Sequence, residues 1–179
     1  MNVWLFGYGS LIWRPEIAYV ERRPARLHGW ARRFWQGSHD HRGMPRQPGR
    51  VVTLIEEEGG HCDGMAYLVD RGDVEAIFAA LDHREKNGYR RFDVELHFSR
   101  YNPAPATTGV VYIAPPGNHA FLGPAPLAEM ARQISECAGP SGRNVDYLLD
   151  LAEALRQLDA QDAHVFELEA AVRHVSGSR

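Results

Sequence analysis

The sequence predicts an α+β fold, a small mixed barrel with helices packed outside it. Three observations carry that expectation. Strand-like segments fill most of the chain up to Ile113, and helical periodicity takes over from Pro126. The strands are short and numerous, which suits a curled sheet. No internal repeat or break in composition divides the 179 residues, so residues 1–179 are expected to form a single domain.

Residues 3–7, VWLFG, read as a first buried strand. Residues 14–50 read as a long irregular region rich in arginine, with Trp30, Phe34 and Trp35. Residues 51–56 and 64–69 read as two strands joined by a turn at Gly59 and Gly60. Asp73 is placed to cap a helix in which Val74, Ile77, Phe78 and Leu81 form one apolar stripe. Residues 91–101 and 109–113 read as a strand pair around a proline-rich loop. Three helical faces follow: Leu127, Met130, Ala131 and Ile134; then Leu148, Leu151, Ala152 and Leu155; then Val165, Leu168, Val172 and Val175.

A formal net charge of −3 is too mild to announce a nucleic-acid or membrane partner. The first residues lack the basic start and unbroken apolar core of a signal peptide, and no run approaches the roughly 20 apolar residues of a membrane span. Two cysteines, Cys62 and Cys137, make no disulfide framework. A soluble cytoplasmic protein is expected.

The first strand runs into "GYGS", Gly7 to Ser10. Glycines at a strand end let a ligand approach the main chain, and successive amides can form an anion-binding nest. A plain strand-to-loop turn is the competing reading. The lysine of a phosphate loop is missing, and there is no GxGxxG. In "LDHREKNGY", Glu85 stands four residues after Leu81, on the buried stripe if the helix continues. A poorly solvated carboxylate there has a raised pKa and suits a general base near neutral pH. If the helix ends at His83, Glu85 becomes an exposed or Arg84-paired surface group.

"RRFWQGSHDHRG", Arg32 to Gly43, interleaves arginines with aromatics. That composition fits nucleic acid, a small acidic substrate, or a solvated face; the acidic balance of the chain argues against the first. His39 with His41, and His61 with Cys62, have no recognised metal-ligand spacing, so no metal is expected. There is no GxSxG, and both thiols read as bystanders. "GPSGRN" reads as an interhelical turn with Asn144 as helix cap; its amides and Arg143 are lesser candidates for a site.

Taken together, "FGYGSLIW", "RRFWQGSHDHRG", "PGRVVTL", "LDHREKNGY", "FLGPAPL" and "GPSGRN" followed by "YLLDLAEALRQL" resemble the ChaC family, the glutathione-specific γ-glutamylcyclotransferases. The blocks run from about residue 4 to residue 158. The resemblance implies a γ-glutamylcyclotransferase-like fold and a cofactor-free cleavage of glutathione to 5-oxoproline and cysteinylglycine. It makes Glu85 the catalytic acid/base, and Leu5, Phe6, Gly7, Tyr8, Gly9 and Ser10 the substrate loop, flanked by Leu11. His83 and Asn87 stand where the family's glutamate motif varies, and "EEEGGHCDGMAYLV" departs from it near the hairpin.

The residues suit that chemistry. A γ-glutamyl amine closes a five-membered ring on its own γ-carbonyl only after losing a proton, and the departing amine must gain one. One glutamate serves both needs. The loop amides are candidates for the α-carboxylate or the oxyanion, and Arg42 or Arg50 for the glycine-end carboxylate. Two rivals remain at this point: a cyclotransferase for other γ-glutamyl amino acids or amines, and a non-catalytic small-peptide binder of the same fold.

Overall fold

The computed structural model describes residues 1–98 and 105–177. Strand β1 (Val3–Gly7) lies at the centre of a five-stranded sheet of order β2-β3-β1-β5-β4. It runs antiparallel to β3 (Gly49–Val69) and parallel to β5 (Thr107–Ile113). Pairing on both edges and cover on both faces explain its continuous apolar run: Leu5 and Phe6 are buried.

The arginine-rich stretch is the main departure from expectation. Residues 21–38 are not irregular; they form β2 (Glu21–Ser38), an edge strand whose Pro24 the edge tolerates. Its inward positions include Ala25, Leu27 and Phe34 but also Arg32 and Gln36, all buried. Two polar residues on the core face break the apolar alternation that identifies a strand.

The expected pair of strands at 51–56 and 64–69 is instead one long strand, β3. Gly59 and Gly60 mark an excursion, not a reversal. Trp30 of β2 pairs with Glu56 and His28 with His61, so residues 57–60 bulge out opposite Gly29. Strand β4 (Arg90–Leu96) pairs antiparallel with β5. The expected continuation of that strand to Tyr101, and most of the proline-rich loop, lie outside the described residues. Among the described residues the two edges of the sheet meet at a single bridge, Arg26 with His97, so there the sheet curls round without a full closing ladder.

Helix α1 (Val74–Arg84) buries Phe78 and Leu81 against Leu5, Leu11, Val69 and Tyr112. Asp73 stands at its N-cap position but makes no side-chain cap bond. Helices α2 (Leu127–Glu136), α3 (Asn144–Gln157) and α4 (Ala163–Gly177) cover the other side, with Ile134, Leu148, Leu151, Leu155, Val165 and Leu168 packed on Phe34 and Leu54 of the sheet. Leu127 stays exposed. Between α2 and α3 the "GPSGRN" turn holds a two-residue hairpin, β6 (Ala138–Gly139) with β7 (Gly142–Arg143). Asn144 is not the cap. It is fully buried and brackets Arg50 of β3, accepting from its N–H and donating to its carbonyl, both at 2.8 Å. No helix among the described residues is long and apolar enough to cross a membrane.

Candidate active site

Two adjoining hollows open where β1 ends. Ser10, Glu85, Tyr89 and Tyr147 stand in the wall of both. The smaller is completed by Phe6, Tyr8, Gly9, Leu11, Val52 and Tyr112. The larger adds Trp13, Arg14, Ser38, Asp40, His41, Arg42 and Arg84, among others, and encloses about 730 Å³ counted to its open mouth.

Helix α1 stops at Arg84, one residue beyond the earlier of the two expected ends, and Glu85 is its C-cap, with its N–H on the Leu81 carbonyl at 2.8 Å. The carboxylate nevertheless turns into the cleft, with only 20% of the side chain exposed. Burial pushes its pKa up; Arg84, whose Nε lies 3.7 Å away, pulls it down, and Asp40 adds a further upward push. Desolvation outweighs the single cation, because that cation is itself partly exposed to water and shared with Glu16.

The loop opposite is built to expose main chain. The N–H groups of Gly9, Ser10 and Leu11 meet no protein acceptor among the described residues, while the carbonyls of Gly9 and Ser10 are taken by Ile12 and Arg14. Gly9 is required by contact and not by its backbone angle: a Cβ there would stand 2.9 Å from Tyr147 Oη and 3.0 Å from Val52 Cγ2, and its φ is not positive. The loop is fixed from behind by the fully buried Arg32, whose Nε donates to the Tyr8 carbonyl at 2.7 Å. The same guanidinium donates to the Asp63 carbonyl and pairs with Asp162 at 2.6 Å.

Four tyrosines from four separate segments surround the carboxylate. Tyr8 donates to the Tyr112 carbonyl at 2.6 Å, Tyr89 to the Val52 carbonyl at 2.9 Å, and Tyr112 to Asp82 at 2.6 Å. Tyr147 accepts the Val52 N–H at 3.3 Å. Burial pushes all four phenols up, and the Glu85 charge adds to the effect. They stay neutral and give the hollow apolar ring faces.

Of the residues expected from sequence, Phe6, Tyr8, Gly9, Ser10, Leu11 and Glu85 meet in the smaller hollow. Arg42 lines the larger one, its guanidinium over the Tyr147 ring at 5.8 Å. Leu5 points into the core and Gly7 packs on Leu11; neither lines the cleft. Arg50 is also elsewhere. Its guanidinium donates to the carbonyls of Phe34 and Gly123, both at 2.9 Å, and to Gln133 at 2.6 Å, tying β2 and the loop before α2 to α2. Its backbone is exhausted by Asn144, so it serves structure rather than ligand. Sequence reading missed Asp40, Arg84, Tyr89, Tyr112 and Tyr147 as lining residues. Asp40, Arg84, Tyr89 and Tyr147 lay inside blocks already singled out, Tyr147 as the first residue of "YLLDLAEALRQL"; Tyr112 comes from a strand with no local signal.

Among the described residues no three His, Cys, Asp or Glu side chains stand close enough to share a metal ion. His41 Nδ1 lies instead 3.1 Å from Ser141 Oγ. Both thiols are buried, and burial pushes Cys62 up to about 11, far from a reactive thiolate.

The profile of the ChaC-like protein family matches residues 3–175. The chain belongs to the ChaC-like family. This ChaC-like chain is 43% identical to the Glutathione-specific gamma-glutamylcyclotransferase 1 of Danio rerio, over 96% of this chain and 89% of that one. It is also 43% identical to the Gamma-glutamylcyclotransferase 2-3 of Arabidopsis thaliana, over 98% and 90% of the two chains. The crystal structure of the yeast gamma-glutamyl cyclotransferase specific to glutathione superposes with a TM-score of 0.91 at 31% identity, covering 97% of this chain and 96% of that one.

Proposed function

We propose that this ChaC-like protein is a glutathione-specific γ-glutamylcyclotransferase, a lyase that releases 5-oxoproline and cysteinylglycine, with Glu85 as its acid/base and the whole chain, 1–179, as one catalytic domain. The observation that carries the reading is the Glu85 carboxylate itself. It is desolvated at the junction of two hollows and faces a loop whose amides have no other use.

The γ-glutamyl head occupies the smaller hollow and the cysteinylglycine tail the larger. Glu85 takes a proton from the substrate ammonium. The freed amine attacks the γ-carbonyl carbon, a C–N bond closes the five-membered ring, and the amide bond to cysteine breaks. Glu85 then gives its proton to the departing amine, so no electron or co-reactant enters or leaves. Holding amine and carbonyl together supplies much of the rate. The N–H groups of Gly9, Ser10 and Leu11 receive the α-carboxylate or the developing oxyanion. Arg42 and its cationic neighbour Arg14 attract the glycine-end carboxylate. The free thiols fit the reducing cytoplasm proposed as its place.

The test is turnover of glutathione by the purified protein, with 5-oxoproline followed by mass spectrometry. Glu85→Gln keeps size and hydrogen bonding but holds no base, so it is expected to lose at least roughly 10²-fold in kcat. Near-normal turnover in a folded Glu85→Gln protein overturns the mechanism. Better catalytic efficiency on γ-glutamyl-alanine than on glutathione overturns the substrate assignment.

A further inference from the structure

The turn that carries Glu85 is held from behind by two side-chain amides. Gln36, fully buried on the inward face of β2, donates from Nε2 to the Asn87 carbonyl at 3.2 Å and to Asn118 Oδ1 at 2.9 Å. Asn118 returns Nδ2 to Gln36 Oε1 at 3.0 Å and gives its second proton to the Pro115 carbonyl at 2.6 Å. Its Oδ1 also accepts the Ala120 N–H at 2.9 Å. Every N–H of both amides is thereby used. Outside the pair, His119 Nε2 lies 3.0 Å from Asn87 Oδ1.

The amides press on the turn's main chain. Gly88 has φ +96, and a Cβ there would lie 2.5 Å from Asn118 Oδ1 and 2.9 Å from Gln36 Nε2. The turn has little else to hold it, since residues 85–88 bury no apolar side chain and α1 has already ended. Segments so thinly packed are the first to open locally.

We propose that Gln36 and Asn118 are positioning residues for the reaction: their paired amides fix the turn at 85–89 and so set where the Glu85 carboxylate stands. The proposal rests on Glu85 being the acid/base. Helix α1 holds Glu85 on one side through Leu81. Tyr89 holds the other, its N–H 3.2 Å from the Glu85 carbonyl. Of the three residues between them, the amide pair holds Asn87 by its carbonyl and packs against Gly88. Neither amide lines either hollow, so neither touches the substrate.

The test combines Asn118→Leu with wild-type and Glu85→Gln backgrounds, in glutathione kinetics across pH. Displacing a catalytic group by about 1 Å costs roughly 10²-fold. Asn118→Leu is therefore expected to lower kcat by about 10- to 100-fold with KM within about threefold. The acid limb of the pH profile should move to lower pH as water reaches the carboxylate, with Arg84, Asp40 and the four tyrosines still facing it. In the Glu85→Gln background the same substitution should cost no further turnover. A folded Asn118→Leu protein with unchanged kcat, a loss confined to KM, or an equal loss repeated without Glu85 overturns the proposal. Full turnover by Glu85→Gln overturns the acid/base reading and the proposal with it, whereas a crippled Glu85→Gln with an additive Asn118 loss overturns the proposal alone. Should Asn118→Leu not fold, Asn118→Ala removes the same amide without adding bulk beside Gly88. A few-fold fall in kcat with the same shift of the acid limb supports the proposal, and an unchanged profile overturns it.

Discussion

Lowering the pH from 7 to 5 should destabilise this protein through one histidine that lines neither hollow. His164, near the start of α4, accepts the Phe34 N–H through Nε2 at 2.9 Å and lies against the Phe34 ring. Burial lowers its pKa to about 4, and Arg33 pushes it further down while Asp162 opposes. An unfolded histidine titrates near 6.5. Because the folded pKa is the depressed one, its contribution to stability is present above about 6.5 and is lost as pH falls toward 4. Between pH 7 and pH 5 the loss is about 2 kcal/mol for a group titrating near 4 when folded. For a chain of this size that is a fall of about 4–8 °C in Tm. His164→Gln keeps an acceptor near the position of Nε2 and cannot titrate. Urea unfolding of both proteins at the two pH values isolates the difference, because every other titrating group is common to them. Parallel pH dependences for wild type and His164→Gln would refute the argument.

Gly9→Val should overpack Tyr147 and Val52 by about 1–3 kcal/mol and reduce kcat/KM for glutathione by roughly 10²-fold. Ser10→Ala loses only the acceptor of one Arg84 hydrogen bond, 3.2 Å long, and should cost about 1 kcal/mol. Steady-state kinetics on folded variants compare the two, and a more damaging Ser10→Ala would make Ser10 a direct participant. As the proposed base, Glu85 must be ionised, and burial raises its pKa, so the acid limb of kcat/KM should lie above the ordinary carboxylate value of about 4.3. The stability sign is the reverse of that of His164. With the folded pKa raised, ionising Glu85 costs stability as pH rises through it, so Glu85→Gln should melt above wild type at neutral pH and match it in acid. Arg42→Ala should raise KM for glutathione more than for γ-glutamyl-alanine, which lacks the glycine carboxylate. Arg50→Met should leave KM alone and lower stability by about 3 kcal/mol, since its carbonyl partners lose charged donors; thermal melts and kinetics separate these two arginines.

The parts of the fold legible in the sequence are those where one physical rule acts alone. Strand β1 is apolar throughout because both faces and both edges are covered, and α2, α3 and α4 keep an unbroken helical stripe. The block around Glu85 was legible because the stripe of α1 aims at it, even though the helix stops one residue short. Strand β2 was not, because Arg32 and Gln36 occupy core positions for the sake of the loops they hold, and a polar core residue reads as a surface one. Arg42 and Arg50 looked alike in sequence. Only the carbonyls of Phe34 and Gly123, brought in from distant segments, show that one of them is spent on structure. Asn144 had the residue type of a cap, and its pairing with Arg50 depends on a contact 94 residues away.

The grip of Arg32 also bears on how the protein is made. Its three partners lie 24, 31 and 130 residues from it in the chain. A nascent chain that has not reached Asp162 already contains the whole glycine loop, the tyrosines and Glu85. It lacks Asp162, whose carboxylate pairs with the guanidinium behind that loop. Without its partner a buried charge of this kind costs about 3–5 kcal/mol, enough to keep the back of the loop from setting. The backing of the loop is therefore complete only once Asp162, just before α4, is present, and a fragment released short of it by a stalled ribosome or a protease carries the proposed catalytic residues without that support.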